Sequence, residues 1–183
     1  NRADITLRAI DVLKSADLIA CEDTRHSRPL LKHHDIDRPL VSLHDHNEAQ
    51  RIEELISKAK EGLQIAAISD AGMPLISDPG YRLLQACIEQ ENPYTVLPGP
   101  SAVLTALAGS GLPCHSFRFD GFLPVKKGKR RKSLEAATLS QTTAIFFESP
   151  HRIVSTIEML AEINPNIGVC VARELSKKFE TYH

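Results

Sequence analysis

Short apolar runs alternate with helical patterns along the first hundred residues, and two long Gly/Pro loops each sit between such a run and a helix. Together these predict an α/β fold built on a parallel sheet covered by helices. A change of character after Gly111 predicts a second α/β unit. The boundary is placed near residues 108 to 116, giving an N-terminal domain over 1–108 and a C-terminal one over 109–183.

Taken in order, Asp4-Ile5-Thr6-Leu7 opens a helix running to about Ser15, with Asp4 as N-cap. Ile5, Ala9, Val12, Leu13 and Ala16 form its apolar stripe. Leu18 to Cys21 and Leu40 to Leu43 read as strands. Asn47 is placed to cap a helix over Glu48 to Glu61, with Gln50 at the capping-box position and Gly62 as its stop. Gln64 to Ile68 is a strand, Tyr81 to Gln90 a helix, Tyr94 to Leu97 a strand and Ala102 to Ala108 a helix. In the second unit the strands are Phe117 to Leu123, Thr143 to Phe147 and Ile167 to Ala172. The helices are Ser133 to Leu139 and Pro150 to Ile163, with Pro in the first turn. A parallel α/β domain normally opens on a strand, so a first strand is expected ahead of Asn1.

The chain has 183 residues, 42% hydrophobic and 25% charged, with a net charge of −1. It is not a polycation, so any nucleic-acid contact must come from a local patch. The four cysteines lie far apart with no paired spacing, which predicts neither a disulfide framework nor a zinc site. No apolar run approaches the ~20 residues of a membrane span. A reducing cytoplasm is therefore the expected setting, away from membranes.

The stretch Ser69 to Gly80, SDAGMPLISDPG, holds two Gly, two Pro and two Asp in twelve residues. That is too long for a bare connection. Strand-to-helix loops of this kind usually do chemistry or hold a ligand. The second loop, Leu97-Pro98-Gly99-Pro100-Ser101, repeats the arrangement. Two such loops in succession predict a cleft for a small molecule at the strand ends. The bland alternative is a pair of stiff structural turns. The first loop is neither a Walker loop nor GxGxxG.

Two polar clusters, EDTRHSR from Glu22 and HDHNE from His44, each follow a short strand. Parallel strands would bring them to one edge, so Glu22, Asp23, Arg25, His44, His46 and Glu48 are placed on one face. Singly, each histidine is an ordinary surface residue; jointly they suggest a site. Lys126, Lys127, Lys129, Arg130, Arg131 and Lys132 put six cations into seven residues. They read either as a solvated loop or as a contact to phosphate backbone, mobile when unbound because like charges repel. Glu148 and Glu174 read either as ion-pair partners of Arg152 and Arg173 or as direct participants in catalysis.

The motifs SDAGMPLISDPG, LPGPSA, GFLP with its basic run, FESPHR and VAREL occur here in the order seen in the bacterial small-subunit (16S) ribosomal RNA cytidine 2′-O-methyltransferases. DITLRA, EDTRHS and HDHNE also resemble that family. It belongs to the tetrapyrrole (corrin/porphyrin) methylase superfamily, which uses S-adenosylmethionine. The resemblance covers essentially the whole chain, which looks like a version trimmed at both ends.

The resemblance implies a two-domain fold, with a parallel-sheet N-terminal domain and a mixed-sheet C-terminal one. It also implies a methyl-donor cleft between them and a homodimer. Ala71, Gly72, Met73, Pro74, Ile76 and Ser77 correspond to the superfamily's Gly-Gly-Asp-Pro donor loop. Met73 stands at its acidic position and departs from the pattern. Ser101 and Ala102 match a second donor contact, and Phe147 and Glu148 a third. The implied reaction is in-line attack of a ribose 2′-oxygen on a sulfonium methyl. Arg25, His44, His46 and Glu48 are the candidates for aiding the hydroxyl. Arg25, Arg28 and the Lys126 to Lys132 run would hold ribosomal RNA. This mechanism requires no metal. The competing readings are a methylase of small tetrapyrroles, which the basic run disfavours, and a non-catalytic RNA-binding module on the same fold.

Overall fold

The computed structural model describes residues 1–183 apart from Asp45 and His46. It divides into two compact units, Asn1–Ser101 and Ala102–His183. Helix α1 spans Leu7–Ser15. Its cap is Thr6, whose hydroxyl accepts from the Ala9 amide at 3.2 Å; the expected cap Asp4 lies in a short 3-10 turn, Arg2–Asp4. Then follow β1 (Leu18–Cys21), α2 (Thr24–His33), β2 (Leu40–Ser42), α3 (Glu48–Lys60), β3 (Ile65–Ile68) and α4 (Tyr81–Glu89).

The three strands form one parallel sheet in the order β2-β1-β3. All four residues of the central strand β1 are buried, as a strand covered on both faces requires. Alternation sorts them to opposite sides. Ile19 joins Leu13, Ala16, Leu31 and Ile36, so α1 and α2 cover one face. Leu18 and Ala20 join Leu43 and Leu55 with Leu83, so α3 and α4 cover the other.

Tyr94–Leu97 forms no strand, contrary to its apolar pattern. Pro93 and Pro98 flank it, each without an N–H to donate, and Tyr94 and Val96 are exposed. The helix α2 was not expected, since Pro29 lies inside it. Asn47 precedes α3 but makes no cap bond; its amide instead joins Ser42 to His44.

The second unit holds α5 (Ala102–Gly109), β4 (Phe117–Phe122), α6 (Lys127–Thr138), β5 (Thr143–Phe147), α7 (Ile153–Ile163), β6 (Ala172–Arg173) and β7 (Thr181–Tyr182). β4 and β5 pair in parallel, with an irregularity between Phe119 and Phe122 where Gly121 has φ of +70°. β6 and β7 pair antiparallel, so only the end of the expected strand Ile167 to Ala172 forms. Leu123, Leu134 and Met159 form the core between this sheet and helices α6 and α7.

The basic run is helical and not a loop. It forms the start of α6, which begins six residues earlier than its apolar pattern predicts. Arg130 and Leu134, one turn apart, are buried on the same face. Arg131 bonds Glu135 at 3.1 Å and Glu162 of α7 at 2.9 Å. Intrahelical and interhelical carboxylates thus offset the repulsion that the run alone suggests. Among the described residues, no helix is long and apolar enough to cross a membrane.

Candidate active site

The parallel register sets Cys21 beside Ser42 and Ile68. The segments leaving β1, β2 and β3 therefore emerge from one edge of the first unit, which is where open α/β sheets bind ligands.

The loop after β3 is a strained segment. Its backbone is left-handed at Gly72 (φ +77°), Leu75 (+73°), Ser77 (+67°) and Gly80 (+116°). Two of these residues are not glycine, and holding them there costs of order 1–3 kcal/mol each. The conformation is held from within: the Ser69 hydroxyl, whose single proton is shared, lies 3.3 Å from the carbonyls of both Ala71 and Gly72. Leu75 folds back over Gly80, where an added Cβ would sit 3.5 Å from its Cδ1.

The two Gly/Pro loops meet. A Cβ on Gly72 would stand 3.6 Å from the Pro100 carbonyl oxygen, and one on Gly99 would stand 3.5 Å from Met73 Cγ. Gly72, Met73, Gly99 and Pro100 thus form one continuous wall. Ser101 ends the first unit and Ala102 opens α5.

At the end of β1, Asp23 caps α2 by accepting from the Arg25 amide at 2.8 Å. The Arg25 guanidinium returns to the same carboxylate, with Nε 3.0 Å from Oδ1 and Nη2 2.7 Å from Oδ2. These bonds hold the Asp23 carboxyl well below the usual carboxylate range. Asp70, at the start of the strained loop, binds back to this segment. Its Oδ1 accepts the Asp23 amide at 3.3 Å, and its Oδ2 lies 3.0 Å from His26 Nδ1. Burial pushes the Asp78 carboxyl up, and Asp70 raises it further against the Ser69 hydroxyl that steadies the ionised form.

The expected catalytic residues are divided by these contacts. Arg25 is on the edge, exposed and tied to Asp23. His44 follows β2, half-buried, with its amide donating to Asn47 Oδ1 at 2.9 Å. His46 lies outside the described residues. Glu48 is buried beneath α4, its carboxylate 3.6 Å from Arg82 Nε, where it joins α3 to α4. Sequence reasoning passed over the pairing of His26 with Asp70. They stand in EDTRHSR and SDAGMPLISDPG, each a few positions past a strand, and only the register of β1 against β3 brings them together.

In the second unit, Phe147 ends β5 with its ring 4.8 Å from Phe119 and 5.3 Å from Phe122, both edge-on. Glu148 turns inward. Its side chain is 6% exposed and faces Arg152 at 2.5 Å. It also accepts from the Thr156 hydroxyl at 2.8 Å and the Ser149 amide at 2.7 Å. The ion-pair alternative therefore describes Glu148, while Glu174 faces Lys177. Of the basic run, Lys126, Lys127, Lys129 and Lys132 are exposed, and Arg28 is exposed on α2. Arg130, expected among the RNA contacts, is buried on α6.

A strained loop at a parallel-sheet edge, closed against a second Gly/Pro loop, is the arrangement of an α/β ligand-binding enzyme scaffold. The family model of the Tetrapyrrole (Corrin/Porphyrin) Methylases matches residues 1–183, and the chain belongs to that family. It is 52% identical over 183 residues to ribosomal RNA small subunit methyltransferase I of Vibrio cholerae, covering 99% of this chain and 63% of that protein. The protein of the same name from Escherichia coli O157:H7 is 49% identical, with 100% and 64% covered. The one from a Hydrogenobaculum species is 48% identical, with 100% and 79% covered. The chain thus spans less than two thirds of the first two relatives. Solved structures share the fold at low identity. Cobalt precorrin-4 methyltransferase has a TM-score of 0.71 at 14% identity, with 100% of this chain and 80% of that one covered. Diphthine synthase has a TM-score of 0.69 at 14% identity, with 98% and 75% covered.

Proposed function

We propose that the protein carrying this chain is an S-adenosylmethionine-dependent methyltransferase acting on the ribose 2′-hydroxyl of a cytidine in small-subunit ribosomal RNA. It would work in the cytoplasm as a homodimer, with an N-terminal α/β domain over 1–108 and a C-terminal α/β domain over 109–183. The observation that carries the reading is the contact between the two Gly/Pro loops, in a chain about half identical to small-subunit RNA methyltransferases.

The residues present fit such a donor. The Gly72–Pro100 and Gly99–Met73 approaches leave a wall of backbone and thioether that can lie flat against a ligand. Asp70 and Asp78, on the same loop, would supply negative potential toward a cation. Met73 contributes no carboxylate, so Ala71, Gly72, Pro74, Ile76 and Ser77 would hold the donor through backbone groups. Ser101, Ala102 and Phe147 would add contacts. Glu148 would act indirectly, by fixing the turn after β5. When bound, the donor supplies a methyl group on a positively charged sulfur, already strongly electrophilic.

The chain's task is then alignment and proton handling. Fixing the 2′-oxygen in line with the methyl carbon removes much of the barrier as an entropy effect. Arg25, His44, His46 and Glu48 would be the candidates for contact with the hydroxyl or its phosphates; of these, Arg25 is exposed and Glu48 is buried against Arg82. Lys126, Lys127, Lys129, Lys132 and Arg28 would bind phosphate with little sequence preference.

The test uses the natural full-length polypeptide, radiolabelled donor and 30S subunits lacking the modification. Label should appear as 2′-O-methylcytidine in 16S RNA and not in precorrin-type substrates. Calorimetry should show donor binding. Label in a tetrapyrrole alone, or no donor binding, would overturn the proposal.

A further inference from the structure

The loop after β3 and the first turn of α2 are joined by one carboxylate. Asp70 divides its oxygens between the Asp23 amide and Nδ1 of His26. Arg25, on the same turn as His26, is held by both oxygens of Asp23. With Nδ1 engaged, Nε2 is the ring nitrogen left to act, and the side chain is 72% exposed. A carboxylate that accepts from Nδ1–H fixes the ring's tautomer and orientation. Among the described residues, Asp23 on the same turn also acts on the ring's charge, and Asp78 lies near Asp70.

We infer that His26, oriented by Asp70, is the general base of the proposed methyl transfer. The inference rests on that functional reading. As the 2′-oxygen forms its bond to the methyl carbon, the carbon–sulfur bond breaks and its electron pair stays on sulfur. The hydroxyl proton passes to His26 Nε2. The products are a 2′-O-methyl ribose, a neutral thioether and an imidazolium that later loses its proton to solvent. His26 is a catalytic residue in this scheme and Asp70 a positioning residue. Exposure suits the role, because the acceptor belongs to a bulky polymer that must reach the base from outside.

Two measurements on the full-length protein test it. In the donor-free protein, nitrogen-15 NMR at alkaline pH should show the His26 ring as the Nδ1–H tautomer. The signal is assigned by its loss in His26→Ala, and the tautomer should revert in Asp70→Asn. In single-turnover assays, His26→Ala should slow methylation about 100-fold, the usual scale of general-base loss. Donor affinity should stay within about threefold, the acid limb of the pH–rate profile should vanish, and added imidazole should recover rate. An Nε2–H tautomer in the wild type, a loss below about tenfold, or no imidazole rescue would overturn the assignment. A wild-type protein that does not methylate RNA would instead overturn the functional reading, whatever the tautomer shows.

Discussion

Removing the Arg152 guanidinium separates two roles for Glu148: a carboxylate that holds the second unit together, or one that grips the methyl donor. In Arg152→Met the 2.5 Å ion pair to a side chain only 6% exposed is lost. Breaking a buried pair by deleting one partner costs about 3–5 kcal/mol. Here Glu148 keeps the Thr156 hydroxyl and the Ser149 amide, which still satisfy part of its charge and place the loss near the lower bound. The Leu123 carbonyl also loses two donors, at 3.3 and 3.4 Å, adding about 1 kcal/mol or less. The expected destabilisation is about 3 kcal/mol, which at a urea slope of about 2 kcal/mol/M lowers the midpoint by about 1.5 M. Circular dichroism during urea titration reads the shift, and hydrogen exchange in β5 and α7 locates it. Adding Glu148→Leu to Arg152→Met should restore part of the loss, because no unpaired charge then remains buried. A midpoint shift under about 0.5 M, together with a large loss of donor affinity in Glu148→Gln, would refute this account.

Three other outcomes are expected. Gly72→Ala places a Cβ on a backbone at φ +77° beside the Pro100 carbonyl; it should cost about 1–2 kcal/mol and weaken donor binding several-fold by calorimetry. Asp78 has a folded-state pKa raised above its unfolded value, so its favourable contribution is present at acid pH and is lost as pH rises through the folded pKa. Asp78→Asn should therefore melt higher than wild type at pH 7, with the difference shrinking on acidification. Replacing Lys126, Lys127 and Lys129 together by Ala should weaken RNA binding across sequences and reduce the log–log salt slope by about 2, measured by filter binding.

What the sequence revealed depended on whether the cause was local. β1 was legible because a strand covered on both faces reads as an unbroken apolar run, Leu18 to Cys21. The Ser69 to Gly80 loop was legible because its glycines and prolines advertise unusual backbone angles. Tyr94 to Leu97 has the local preference of a strand, but a strand also needs a ladder, and none forms there. α2 was hidden by its polar first turn and by Pro29. The basic run was misread because its counter-charges lie elsewhere: Glu135 one turn on and Glu162 on another helix. Asp70 and His26 stand far apart in sequence, and no composition or spacing rule brings them together.

The early start of α6 has a kinetic consequence. Its lysines project from a helix already anchored by Leu134 and by the Arg131 link to α7. A nucleic acid arriving there meets a charge array of set spacing, and no folding step stands between collision and capture. Encounter with RNA should then be governed by diffusion and long-range attraction, quickening as ions are removed and responding little to helix-promoting cosolvents.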